Sequence, residues 1–163
     1  MPSHDRKNTS GKRADTTKLI ARNRKASHNF ELGDRFEAGI ALLGAEVKSL
    51  RLGKMNVSDA YASPSRGEII LKNLHISPYS AAHDSLDPDR PRRLLLHKRE
   101  IRILTEAVER QGLTIVPVSF YFKNGKAKVE LALARGRKKY DKREKLAKQD
   151  SDRQIARATR KDR

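Results

Sequence analysis

The chain of 163 residues contains no cysteine. Disulfides and thiolate metal sites are thereby excluded, which fits a reducing, cytoplasmic setting. Aromatic residues make up only 5%, too few for a platform of stacked rings that grips single strands of any sequence. No apolar run approaches the about 20 residues needed to cross a bilayer. The opening stretch "MPSHDRKNTSGKRADTTK" lacks the apolar segment of a secretory signal, although its Arg, Lys, Ser and Thr content leaves a transit peptide open. Catalytic signatures are missing as well. The five histidines, His4, His28, His75, His83 and His97, include no i,i+4 pair for a helical zinc site. No Walker loop, G-x-S-x-G or G-x-G-x-x-G occurs. The expectation is a binding protein without metal or cofactor, not an enzyme.

What the chain has in excess is positive charge: 37 Lys and Arg against 20 Asp and Glu, a formal net charge of +17. Such a balance opposes compaction and favours a polyanionic partner. Nucleic acid leads, because each neutralised phosphate releases counterions. An anionic membrane surface would require an amphipathic helix with an apolar face at the charged ends, and none is evident. The excess is concentrated: residues 1–25 carry net +6 and residues 136–163 net +7, while the 110 residues between carry only +4. The division expected is a disordered basic arm over 1–22, a globular domain over 23–135 and a basic tail over 136–163.

Within the middle, Phe30, Leu32, Phe36, Ala38, Ile40 and Leu42 alternate with polar residues, which predicts a strand with Glu37 on its outward face. "GAEVKSLRLG" breaks the alternation and reads as a short helix bracketed by glycines. "NVSDAYAS" and "GEIILKNLHIS" predict two strands, and "PYSAAHDSLDPDRPRR" a long loop. "HKREIRILTEAVERQG" predicts a helix with Ile101, Leu104 and Val108 on one face and Gly112 as its stop. His97 falls at its N-cap, three before Glu100, although His is a poor cap. Asn124-Gly125 between two alternating runs predicts a hairpin. A two-residue turn there pairs Phe122 with Ala127, Phe120 with Val129, Val118 with Leu131 and Val116 with Leu133. It sets Tyr121 opposite Lys128 on the other face, and Pro117 suggests an edge or a bulge. Five or six strands, two helices and no βαβ alternation predict a mainly β protein. A small closed antiparallel barrel, for which the OB type is one solution, fits this count, with two or three peripheral α-helices.

Three basic clusters flank the expected barrel: Arg22, Arg24, Lys25 and His28; Lys48, Arg51 and Lys54; and Arg90, Arg92, Arg93, Lys98 and Arg99. With few aromatics, they favour recognition of a folded RNA by shape and phosphate contacts. The tail has no Gly or Pro after Gly136, and Asp141–Lys145 and Glu144–Lys148 are favourable i,i+4 pairs. Ala147, Ser151, Ile155 and Ala158 share only a thin face, too little to offset an ordering cost of about 1–2 kcal/mol per residue. The tail is therefore expected to be disordered when free and helical against a polyanion.

The stretches "NRKASHNFELGDRFEAGIALLGAEVKSLRLGKMNVSDAY", "HISPY", "RRLLLHKREI", "GLTIVPVSFYFKNGKAKVELALARGRKKYDKR" and "DRQIAR" resemble the SmpB (SsrA-binding protein) family of bacteria, in family order over most of residues 23–157. The resemblance implies an OB-type barrel that binds the tRNA-like domain of transfer-messenger RNA. It also implies delivery of that RNA, with elongation factor Tu engaged through it, to ribosomes stalled without a stop codon. There the basic tail enters the empty mRNA path and becomes helical, and the nascent chain is tagged. Glu37, His28, Leu95, His97 and Lys128 match positions on the family's RNA-binding side, with His97 standing where some relatives have Asn. Arg24, Lys25, Lys54, Lys98 and Arg135 complete the expected RNA contacts. Gly136, Lys138, Lys139, Tyr140, Asp141, Lys142 and Arg143 match the segment that reaches the ribosomal decoding centre. Tyr140, which is His in some relatives, is suited to stack on a base. The partners implied are transfer-messenger RNA and the ribosome, with no membrane, and the expected state is a monomer. A structural ribosomal protein and an RNA-acting enzyme remain the alternative readings.

Overall fold

The computed structural model describes residues 16–80, 86–136 and 139–161, with the backbone alone at 139–142 and 160–161. The chain runs β1 (Thr17–Arg22), α1 (Arg24–Asn29), β2 (Phe30–Ile40), α2 (Gly44–Arg51), β3 (Met55–Asn56), β4 (Tyr61–Ser65), β5 (Glu68–Lys72), β6 (His75–Ile76), β7 (Arg92–Leu95), α3 (Lys98–Gln111), β8 (Thr114–Lys123), β9 (Lys126–Gly136) and α4 (Lys139–Lys161). Six strands pair in the order β8-β4-β5-β7-β2-β9, and β9 returns to β8, so the antiparallel sheet closes into a ring. Closure leaves these strands few exposed ladder groups. One edge of β8 follows β9 throughout. Its other edge is shared, with Ile115 facing β4 and Ser119–Lys123 facing β1. The interior is filled by Ile69, Leu71, Ile115, Phe120, Val129 and Leu131, each inaccessible to solvent. Leu104 and Ala107, three apart on α3, seal the ring from one side, and Leu50 of α2 joins the same core.

The Asn124-Gly125 hairpin forms as expected. Both residues have positive φ, 51° and 79°, the combination that matches a tight turn to strand twist. Phe122 pairs with Ala127 and Phe120 with Val129. Beyond them the register slips between Pro117 and Ser119: Pro117 lies opposite Leu131 and Val116 opposite Ala132, so the expected pairs Val118–Leu131 and Val116–Leu133 are not formed. Val118 is the additional residue of a bulge, next to a proline that has no N–H to give a ladder. The slip turns every later side chain to the opposite face. Val116 therefore leaves the main core for a second cluster with Ala26, Ala132 and Ala134. β2 has a matching irregularity between Leu32 and Arg35. Its alternation holds in two halves: Phe36, Ala38 and Ile40 join the main core, while Phe30 and Leu32 pack on the second cluster.

Three expectations are corrected. Residues 17–22, assigned to a disordered arm, form β1 on β8; only Ile20 and Ala21 of that strand pack on the core, too little apolar pattern to be read in sequence. Residues 1–15 lie outside the described residues. The "RKASHN" stretch, assigned no secondary structure and counted only for its basic cluster, is the helix α1. The tail, expected to be disordered when free and helical only against a polyanion, is one helix of 23 residues. Its composition, rich in helix formers and free of Gly and Pro, favours that backbone without a buried face. The thin face finds no cover: Ala147, Ser151, Ile155 and Ala158 are all exposed. Near the start of α4 the helix meets α1, where the Lys145 ammonium donates to the Ser27 carbonyl.

Candidate RNA-binding face

The outer surface of β7, β2, β9 and β8 carries a row set by strand register. Leu95 lies opposite Gly39, Gly39 opposite Lys128, and Lys128 opposite Tyr121. In the next row Glu37 lies opposite Glu130, and Glu130 opposite Ser119. Gly39 matters because it has no side chain: a Cβ there would stand 3.2 Å from the Cβ of Leu95. Leu95 occupies that space and remains half-exposed, an apolar side chain among charges.

Glu37 is held from β8. The Tyr121 hydroxyl donates to Oε2, and the Lys123 ammonium approaches Oε1 at 3.5 Å. The hydrogen bond from Tyr121, outweighing partial desolvation and helped by Lys123 and Lys128, holds the Glu37 carboxyl below the usual carboxylate range. Burial, and then the hydrogen bond and charge of Glu37, push the Tyr121 phenol up. Beside them Arg35 Nη1 donates to Glu130 Oε1 at 2.7 Å, and Ser119 Oγ donates to Oε2 at 3.3 Å.

One groove is lined by Glu37, Leu95, His97, Lys98 and Lys128, together with Glu68, Arg93 and Ile101. His97 is the N-cap of α3, where its backbone N–H donates to Glu100 Oε2 at 3.4 Å. Its imidazole makes no capping hydrogen bond to a described residue and stays exposed on the groove wall.

The other expected contacts lie further out. Arg24, Lys25 and His28 project from α1, with Arg24 and Lys25 exposed. α1 packs through Ala26 on Ala132 and Ala134, the same side of β9 that presents Lys128 and Glu130. Asn23 makes this seat: its Oδ1 caps α1 by accepting from the Ala26 N–H at 3.2 Å. Lys54 is exposed beyond α2, away from the groove; its N–H donates to Ser49 O at 3.1 Å and its carbonyl accepts from Ser77 at 3.0 Å. Arg135 lines a different hollow with Glu31, Asp34 and Glu106. Gly136 closes β9 opposite Phe30. Lys138 lies outside the described residues; Lys139, Tyr140, Asp141 and Lys142 are described as α4 backbone, and Arg143 is exposed on that helix.

Two arginines of the third basic cluster are engaged by a carboxylate of the protein itself, Glu46. Arg92 is buried, its Nε donating to Glu46 Oε2 at 2.6 Å, Nη1 to Leu74 O at 2.6 Å and Nη2 to Pro88 O at 3.0 Å. Arg90 holds Glu46 Oε1, which also accepts from the Leu43 N–H at 3.0 Å. Arg93 is exposed but pairs with Glu68 at 3.2 Å. Conversely, Tyr121 and Lys123 lie against Glu37 and were not among the expected RNA contacts. Their outward facing was legible in the hairpin alternation; their approach to Glu37 depends on β9 lying between β2 and β8.

Among the described residues no group of three or more His, Asp and Glu is placed to hold a metal ion, and no helix is long and apolar enough to cross a membrane. Comparison with known proteins places the chain. The family model described as SmpB protein matches residues 20–161. The chain belongs to the SmpB family. A relative named SsrA-binding protein from Geobacter sulfurreducens is 53% identical over 144 residues, covering 88% of this chain and 94% of that protein. Another of the same name, from Syntrophobacter fumaroxidans, is 49% identical over 145 residues, covering 88% and 90%. A solved structure described as "tmRNA-SmpB: a journey to the center of the bacterial ribosome" is similar with a TM-score of 0.62 and 50% identity, over 73% of this chain and 85% of that one.

Proposed function

We infer that this protein is an RNA-binding adaptor that binds transfer-messenger RNA and serves trans-translation on stalled ribosomes. The observation that carries the reading is the convergence of Glu37, Leu95, His97, Lys98 and Lys128, from β2, β7, the start of α3 and β9, on one groove. Glu37, the Leu95–Lys98 stretch and Lys128 are far apart in sequence, and an apolar side chain, an imidazole, two ammonium groups and a carboxylate suit a folded RNA better than a bare phosphate. The relatives named SsrA-binding protein and the solved tmRNA-SmpB structure support the same partner.

The finer reading is the one the family resemblance implies, and the placement of the basic segments supports it. The closed sheet is taken as an OB-type barrel that holds the tRNA-like domain of the RNA in its groove, with Arg24 and Lys25 of α1 tracking phosphates alongside. The helix α4 enters the empty mRNA path of the small subunit and brings the 136–143 segment to the decoding centre. Elongation factor Tu is engaged through the RNA. The protein works as a cytoplasmic monomer and makes or breaks no bond itself; its contribution is binding energy and placement. Sequencing the RNA that copurifies with the protein tests this. One small RNA with a tRNA-like end is expected. Ribosomal RNA in constant proportion to every ribosome would instead support a structural ribosomal protein.

A further inference from the structure

A carboxylate is out of place on a surface built to meet phosphates. Glu37 carries the same charge as the RNA and cannot bind its backbone directly, so its value lies in accepting a hydrogen bond from a base N–H or a sugar 2′-hydroxyl. For that it must be ionised and aimed. A glutamate has three side-chain torsions, and an exposed one samples many rotamers that binding would have to freeze.

The structure removes that freedom from two strands away. Glu37 on β2 and Tyr121 on β8 are separated by β9, and both face outward across it, Glu37 opposite Glu130 and Tyr121 opposite Lys128. The phenol spans the gap and donates to Oε2. Each carboxylate oxygen has two acceptor sites, so the oxygen that Tyr121 engages keeps one for a ligand. The Glu37 side chain remains 41% exposed, on the groove that Leu95, His97 and Lys128 also line.

We propose that Tyr121 is a positioning residue of the RNA-binding face: its hydroxyl aims the Glu37 carboxylate into the groove, where it accepts a hydrogen bond from a nucleotide base or sugar while Lys123 and Lys128 flank it. The proposal rests on the RNA-binding reading of the groove. Other charges around Glu37 are consistent with it. Lys123 from β8 and Lys128 from β9 favour the ionised carboxylate. Glu130 from β9 opposes it but is itself held by Arg35 of β2 at 2.7 Å. Arg93, Glu68, His97, Lys98 and Glu100 line the rest of the groove, and Arg93 and Glu68 are paired with each other.

The test uses the full-length protein, its Tyr121→Phe and Glu37→Ala variants and the double variant, with the tRNA-like domain of transfer-messenger RNA as the probe. Tyr121→Phe keeps the ring and loses the hydroxyl. It is expected to leave the melting temperature within a few degrees of the parent and to weaken RNA binding about tenfold, the scale of a lost hydrogen bond to a charged group. In the Glu37→Ala background the same change is expected to cost nothing more. An undiminished affinity of Tyr121→Phe, or a full additional loss in the double variant, overturns the proposal, since Tyr121 would then be idle or would contact the RNA itself. A second readout needs no RNA: NMR titration of the Glu37 carboxyl is expected to move up in Tyr121→Phe, and an unmoved titration overturns the aiming contact. Failure of the parent protein to bind the RNA, with the NMR shift present, would instead overturn the RNA-binding reading and leave the Tyr121–Glu37 contact standing.

Discussion

Asn23 Nδ2 donates to the Pro117 carbonyl at 3.0 Å, and the Asn23 backbone N–H donates to the Val118 carbonyl at 2.8 Å. One buried side chain thus satisfies the bulge of β8 while its Oδ1 caps α1. The bulge needs such a partner, because carbonyls taken out of a ladder and away from water are costly to leave unmatched. The consequence reaches the surface: the bulge turns Val116 outward to seat α1, and α1 carries Arg24, Lys25 and His28.

Asn23→Ala removes a cap and a buried donor together. Loss of about 1–3 kcal/mol of stability is expected, the sum of a lost N-cap and a lost buried hydrogen bond being at the upper end. Denaturant unfolding measures it. An unchanged midpoint would show that α1 and the bulge are held by packing alone.

The buried pair Glu46–Arg92 makes stability acid-sensitive. Burial pushes the Glu46 carboxyl up, but hydrogen bonds from Arg90, the Leu43 N–H and Arg92 outweigh it and hold the group below its ordinary 4.5. A carboxyl lowered on folding contributes stability that is complete above the unfolded value and lost as pH falls through the folded one. Unfolding free energy is therefore expected to drop below pH 4.5, and Glu46→Gln to flatten that limb. Arg92→Met leaves Glu46 less compensated in the interior and is expected to cost about 3–5 kcal/mol at neutral pH, read by urea denaturation.

The groove residues are expected to separate binding from folding. His97→Ala and Lys128→Ala change exposed or half-exposed side chains, so melting should move little while affinity for the tRNA-like RNA falls. Lys128→Ala is further expected to reduce the slope of log affinity against log salt by about 1 if the ammonium neutralises one phosphate. His97→Ala should leave that slope unchanged. Filter binding across a salt series distinguishes the two.

Truncation after Gly136 keeps the Phe30–Gly136 pair that closes β9 and removes α4. Affinity for the tRNA-like RNA and the melting temperature are expected to stay near the parent values, since the described side chains of α4 from Leu146 to Thr159 are exposed. Peptide tagging in a reconstituted translation system is expected to vanish. A collapse of RNA binding would place part of the RNA site on the tail.

The sequence by itself determined what depends on neighbours along the chain. The Asn124-Gly125 turn, the apolar stripe of α3 and its stop at Gly112, the outward facing of Glu37 and Tyr121, and the concentration of cationic charge at both ends all follow from local periodicity, turn chemistry and composition. So did the helix-forming bias of the tail, although not its helical state without a partner, because a thin apolar face was weighed more heavily than propensity. Tertiary structure alone decided the rest. Two bulges, whose extra residues leave no sequence period, divide β2 and β8 between two cores. Ring closure brings β2, β9 and β8 side by side and so carries Tyr121 to Glu37. Burial divides arginines that look alike in "DRPRR", making Arg92 a buried anchor for Glu46 and leaving Arg93 in solvent. Composition counts charges, but whether a charge meets RNA or a carboxylate in the interior depends on which strands pair, and that is settled by long-range packing.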